Sequence, residues 1–261
     1  MVMTAAKQMD YNVSNLTRGL DILELLLVHP AGVGISEIAQ ALEIPKNAAF
    51  RITSALHERG YLVRFDQNKY FKLSKRLMLM GYKAADEDGL IEKAMPRMKK
   101  LRDLVKETVV LGGIMDDQGL AIAEVPGAHS FRFVVDAGMR YHLHSSASGK
   151  AMMAMMAEDE RDHLLGRLKL KKFTSETITS KEGLLGEFAK IRKQGYAEDR
   201  SEEMAGVHCV AASVMNAQGL AIASVTVTGP AYRFTRDMFA EIGENTRRCA
   251  AAISADMGYE A

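Results

Sequence analysis

Two cysteines in 261 residues, Cys209 and Cys249, are too few for a disulfide framework, and neither belongs to a Cys/His cluster of zinc-binding spacing. No metal site is expected, and a reducing compartment fits. No uninterrupted apolar run reaches the roughly 20 residues that a membrane-spanning helix needs, and the stretch from Met1 to Asp10 lacks the apolar core of a signal peptide. The chain therefore reads as cytoplasmic, with no membrane partner. Neither sign of charge dominates: net charge is +1, with 26% charged and 48% hydrophobic residues, which argues against long disorder or a collagen-like fibre. The length admits one large domain or two smaller ones.

What charge there is gathers locally. Residues 46 to 76 hold eight Lys/Arg against Glu58 and Asp66, a net +6 that the rest of the chain offsets. A positive field confined to one short element binds phosphate backbones without making the whole surface adhesive.

That basic stretch lies within a recognisable helical unit. From Asn15 to Val28, Leu16, Leu20, Leu23 and Leu27 recur at helical spacing until His29-Pro30 stops them. After a loop over 31–34, Ser36 is placed to cap a short helix with Ile38, Ala39 and Leu42 facing inward, ending before Pro45. Pro45 suits the first turn of a third helix that runs to Arg59, with Ala49, Ile52 and Leu56 buried and Gly60 as terminator. Tyr61 to Arg64 and Tyr70 to Leu73 are β-rich runs joined by the turn-forming residues 66–69. Two short helices on a tight turn, followed by a basic hairpin, make a winged helix-turn-helix whose second element enters the major groove.

Side-chain donors and acceptors read groove edges, while basic residues set the register on phosphates. Asn47 and Arg51 are the candidate base readers, with Lys46, Ala48 and Phe50 beside them. Ser36, Arg18 on helix one, and Arg64, Lys69 and Tyr70 on the wing complete the candidate DNA contacts. A protein-binding module with a merely solvated basic face is the alternative.

Beyond Ser74 the chain reads as mostly helical to Glu107, with breaks near 86–89 and Pro96. From Val109 short apolar runs alternate with turns: 109–115, 120–124, 131–135, 207–214 and 220–228 read as strands. Helices fall at 149–157, 159–168, 182–194 and 236–257, so the expectation is an α+β domain, an antiparallel sheet with segregated helices. The hexapeptide Gln-Gly-Leu-Ala-Ile-Ala occurs at 118–123 and 218–223; it reads as two hairpin corners, ahead of a duplicated ligand site.

The segments Arg18 to Leu26, Ile35 to Ala39, Pro45-Lys46 and Leu56 to Leu62 are similar to the DNA-binding half of IclR-type transcription regulators. His144 to Ala151, Gly195 to Asp199, Gly206 to Cys209 and Thr226 to Pro230 resemble the effector domain of the same family. The resemblance implies residues 1–75 as winged helix-turn-helix, 76–90 as a linker helix and 91–261 as a GAF-like effector domain. It also implies a homodimer or homotetramer on a palindromic double-stranded operator, no cofactor, and an effector pocket at Asp199, Cys209, Thr226 and Thr228. Two departures stand out: Asn47 to Phe50 replaces small hydroxyl residues, and Thr226 and Thr228 replace serines, adding methyl groups to the pocket.

The residues themselves suggest the ligand. Ser145 to Ser148 run into a helix start, where free N–H groups and the positive helix end favour an anion, so Ser146 and Ala147 are candidates for holding a small carboxylate. This is no ATP loop, since His144 replaces the required glycine and Ala151 follows Lys150. Leu143, Met115 and Phe133 are candidates for the apolar side. The rival reading is a cysteine-based enzyme or redox sensor at Cys209. His208 cannot serve it, because strand neighbours point to opposite faces, which leaves His142, His144 and His163. No catalytic residue is expected, and the methionines at 152, 153, 155 and 156 read as gap fillers.

Overall fold

The computed structural model describes residues 14–65, 70–77, 80 and 89–260. The chain divides into two compact units, 1–84 and 85–261. The segment 76–90, expected as a linking helix, falls largely outside the described residues.

The first unit comprises α1 (Ser14–Leu27), β1 (Val33–Gly34), α2 (Ile35–Ala41), α3 (Lys46–Glu58), β2 (Leu62–Phe65) and β3 (Tyr70–Leu73). The hairpin pairs Leu62 with Leu73 and Arg64 with Phe71. β3 also pairs with β1, a strand in the stretch expected to be loop. Ile22, Leu26, Val33, Ile38, Ala49, Leu62 and Phe71 form the core.

On α1 the structure corrects the expected stripe. Leu16, Leu20 and Leu27 are 61%, 52% and 70% exposed, whereas Gly19, Ile22 and Leu26 are buried. The helix is apolar over most of its circumference, so spacing alone permits several faces. Packing selects the one with Gly19, Ile22 and Leu26, where Gly19 faces Ile52 of α3. The expected Ser36 cap is also corrected. Gly34 is the N-cap, its N–H donates to Glu37 Oε2 at 2.8 Å, and Ser36 lies exposed inside the first turn. Glu43, at φ 52°, turns the chain from α2 towards α3.

The second unit is built on a six-stranded antiparallel sheet in the order β6-β5-β4-β9-β8-β7. Its strands are β4 (Thr108–Met115), β5 (Gln118–Val125), β6 (Arg140–Tyr141), β7 (Ala197–Arg200), β8 (Val207–Met215) and β9 (Ala221–Pro230). Its helices are α4 (Leu90–Val105), α5 (Ala147–Met155), α6 (Glu158–Arg167), α7 (Lys181–Gln194) and α8 (Phe239–Asp256). Helices cover both faces, not one. α4 and α8 pack on Val109, Leu111, Val210, Val225 and Val227, while α5, α6 and α7 enclose a second core with Leu143, Phe188 and Ala211.

Three further expectations change. Pro96 does not break α4: it sits on the exposed side, and the buried Ala94, Met98 and Leu101 hold the helix in place. Residues 131–135 form no strand, because β4 is flanked by β5 and β9, and the free side of β5 is taken by 138–141. The repeated hexapeptide opens β5 after a two-residue turn, but reaches β9 through a longer loop. Its two glycines differ too, since Gly119 lies under the Tyr141 ring while Gly219 adopts φ +75°. Among the described residues no helix is long and apolar enough to cross a membrane.

Candidate functional site

Two surfaces collect the candidate residues. In the first unit, α3 buries Ala49 and Thr53, and the Thr53 hydroxyl donates to the Ala49 carbonyl at 2.8 Å. Helical geometry then turns Asn47 and Arg51, one turn apart, to the opposite and exposed side. Lys46 and Phe50 are exposed next to them and Ala48 is half-buried. Ser36 and Arg64 are exposed, and Arg18 is half-buried on α1. The Tyr70 hydroxyl lies 3.4 Å from Glu37 Oε1, tying the hairpin to the start of α2. Lys72 sits over the Phe65 ring at 4.9 Å and Arg76 over Tyr61 at 5.1 Å, so basic charge is held along the hairpin by its own aromatic rings. Lys69 lies outside the described residues.

In the second unit the sheet face away from α4 and α8 borders a cavity of about 330 Å³. Strand alternation explains its chemistry. On β9, Val225 and Val227 enter the core, so Ser224, Thr226 and Thr228 face the other way. On β8, Cys209 stands beside Thr228, and on β7 Asp199 stands beside Cys209. The N-terminus of α5 closes the same cavity. Ser146 is its cap and accepts the Gly149 N–H at 3.1 Å, leaving the Ala147 and Ser148 N–H groups without acceptors inside the helix. Ser146, Ala147, Asp199, Cys209, Thr226, Thr228 and Phe133 all line this one cavity.

Two candidates do not. Leu143 is 1% exposed beneath α5 to α7, where its backbone presses on Gly149, and Met115 ends β4 at a hairpin tip, 41% exposed to solvent. A β period fixes which face a residue points to but not whether that face is covered.

A family model of the IclR helix-turn-helix domain matches residues 15–65, and one of the bacterial transcriptional regulator IclR C-terminal region matches residues 82–255. The chain belongs to the IclR family of bacterial transcription regulators. It is 31% identical to the transcriptional regulator KdgR of Escherichia coli over 97% of this chain and 95% of that protein. The Thermotoga maritima IclR structure superposes with a TM-score of 0.82 at 29% identity, covering 95% of this chain and all of that one. An IclR homologue from Microbacterium hydrocarbonoxydans, complexed with 4-hydroxybenzoate, shares the fold at TM-score 0.82 and 21% identity, covering 94% of this chain and 99% of that one.

The ionisable groups of this IclR cavity are unusual. Burial, together with Glu202, pushes the Asp199 carboxyl up to about 7, although the Glu202 N–H donates to its Oδ1 at 2.7 Å. Burial and the neighbouring Asp199 push the Cys209 thiol well above its ordinary value, and it donates to Thr228 Oγ1 at 3.3 Å. A thiol held protonated is a poor nucleophile. Of the candidate histidine bases, His142 and His144 are occupied, and His163 is exposed on α6 and does not line the cavity. His142 pairs with Glu203 at 2.9 Å, His144 lies 2.9 Å from the Lys171 carbonyl, and His208 faces the opposite side, against Phe234.

Sequence reasoning missed several groups here. Lys150, fully buried, pairs with Glu202, whose main chain in turn holds Asp199. Tyr141 and Ser148 line the cavity, and their hydroxyls form a chain with that of Ser224. Ser224 was within reach, since it extends the Thr226/Thr228 alternation by one step. Tyr141 was not, because its strand is two residues long and carries no pattern.

Proposed function

We propose that this IclR-family regulator docks α3 in the major groove of a palindromic operator as a homodimer or a dimer of dimers, and that a small carboxylate in the Asp199–Thr226 cavity modulates the docking. The reading of the cavity as an effector site is carried by one observation: the Thr226 hydroxyl is buried without a hydrogen-bond partner in a wall it shares with the start of a helix. Buried hydroxyls are normally paired, and an anion at a helix N-terminus supplies the missing acceptor. The 4-hydroxybenzoate held by the structural relative is itself a carboxylate.

The regulator is read as non-enzymatic, as the protonated thiol and the engagement of His142 and His144 support. It works beside the chromosome in the cytoplasm. Asn47 and Arg51 read bases, while Arg18, Ser36, Lys46, Arg64, Lys69 and Tyr70 contact phosphates or set register. Residues 1–75 form the DNA-binding domain, 76–90 the linker and 91–261 the effector domain. The homo-oligomer is supported by the exposed leucines of α1. They border an open, largely apolar groove of about 680 Å³ with Ile52, Leu56 and Tyr61, a surface larger in character than scattered exposed residues.

To act as a switch the ligand must favour one DNA-binding arrangement by a coupling of about 1–3 kcal/mol. The test is a thermal-shift screen of the full chain against small carboxylates, followed by operator titrations with and without each hit. A saturating hit at about 100 times its Kd adds roughly 2.7 kcal/mol, and Asp199→Ala and Thr226→Val lose that gain. Equal responses in parent and variants would place the ligand elsewhere.

A further inference from the structure

We propose that the cavity selects a monocarboxylate carried on a compact apolar body, aromatic or branched, and rejects polyhydroxylated acids. This deepens the effector-site reading and rests on it.

The polar groups of the lining lie on the sheet, at the start of α5 and at Glu203 in the loop after β7, and most already hold a partner. Ser148 Oγ lies between the Tyr141 hydroxyl at 2.5 Å and Ser224 Oγ at 2.6 Å. Ser146 Oγ is taken up by the Gly149 N–H, and Thr228 Oγ1 accepts the Cys209 thiol. What remains for a ligand is the unpartnered Thr226 hydroxyl, the hydroxyl protons of Ser146 and Thr228, which only accept in those bonds, the Ala147 and Ser148 N–H groups, and the second oxygen of Asp199. Gathered on one side of the cavity, those donors suit the two oxygens of a carboxylate, and the Asp199 carboxyl joins them when it holds its proton.

The opposing wall is of another kind. Phe133, Val134, Val135 and Met139, from the segment that crosses without joining the sheet, and Met204 offer no side-chain group that bonds a hydroxyl strongly. A hydroxyl on the ligand body would be stranded against them, at a loss of roughly tenfold to a hundredfold in affinity for each one. Charge argues the same way against a second carboxylate. Lys150 is fully buried against Glu202, and Glu203 sets a carboxylate in the lining that would repel a second acid, where the only cation among the described lining residues is Arg140. The volume, about 330 Å³, is at the small end for ligand cavities and suits a ring-sized body.

The test is isothermal titration of the full chain with benzoate, cyclohexanecarboxylate, gluconate and benzamide. Benzoate or cyclohexanecarboxylate is expected to bind at least about a hundredfold more tightly than gluconate, and benzamide far more weakly. Thr226→Val should cost the acid roughly tenfold or more while Thr226→Ser retains it, which separates loss of the hydroxyl from loss of the fold. Met204→Gln, at an exposed position, should narrow the gap to gluconate. If gluconate binds more tightly than both apolar acids and Thr226→Val abolishes it, the ligand class is overturned while the effector site stands. If benzamide matches benzoate, recognition of a carboxylate is overturned. If none of the four binds, or Thr226→Val changes nothing, the site and the ligand class both fall.

Discussion

At the scale of single residues, Asp199 has the most measurable consequence. Its carboxyl is raised from about 3.8 to about 7 by burial. Below about pH 4 folded and unfolded chains both hold the proton. Between pH 4 and pH 7 only the folded chain does, and above that neither does. Stability of the ligand-free protein should therefore fall as pH rises across that window, by on the order of 4 kcal/mol at most. Asp199→Asn should flatten the dependence, as chemical denaturation at pH 5 and pH 7.5 will reveal; an unchanged slope would exclude Asp199 as its source. The family resemblance pointed to Asp199, Cys209, Thr226 and Thr228, and strand parity put Thr226 and Thr228 on one face. Lys150 was not legible as a buried ion, because its partner Glu202 is 52 positions away and no local pattern joins them.

At the scale of elements, the proposed roles rest on α5 and α3. A side chain at Gly149 would collide with the Leu143 backbone, which cannot yield as a side-chain tip can. Gly149→Ala should cost about 1–3 kcal/mol and displace the helix start from the cavity, so that carboxylate binding falls more than the melting temperature alone predicts. On α3, Arg51→Ala should weaken operator binding by about 1–3 kcal/mol and relax base preference, whereas Lys46→Ala should weaken all sequences alike and flatten the salt dependence by about one unit of slope. Anisotropy titrations at several salt concentrations distinguish these, and equal effects on operator and random DNA would remove Arg51 from the base readers. Helices and hairpins with punctuating Pro and Gly were readable from spacing. The face that α1 buries was not, since its leucines are spread round most of the helix and several faces satisfy the same spacing. Residues 131–135 had strand-like composition but no free strand edge to join.

For the whole molecule, the two family models and the two compact units describe the same division of labour: one part holds the basic helical surface and the other the cavity. A homodimer should appear in sedimentation at micromolar concentration, and Leu16→Glu with Leu20→Glu should shift it towards monomer with operator affinity reduced at least about tenfold, since paired half-sites bind through linked contacts. A dimer unaffected by both charges would move the interface away from α1. The layered order of the second unit was only half legible, as composition indicates strands and helices but not that helices cover both faces of the sheet.

The alternation along β9 has an evolutionary side. Val225 and Val227 secure the hydrophobic layer, while Thr226 and Thr228, interleaved with them, line the cavity. Mutation can therefore revise every second position and change what the regulator responds to without renegotiating the packing that keeps it folded, so that new specificities are reachable by single substitutions in one short stretch of chain.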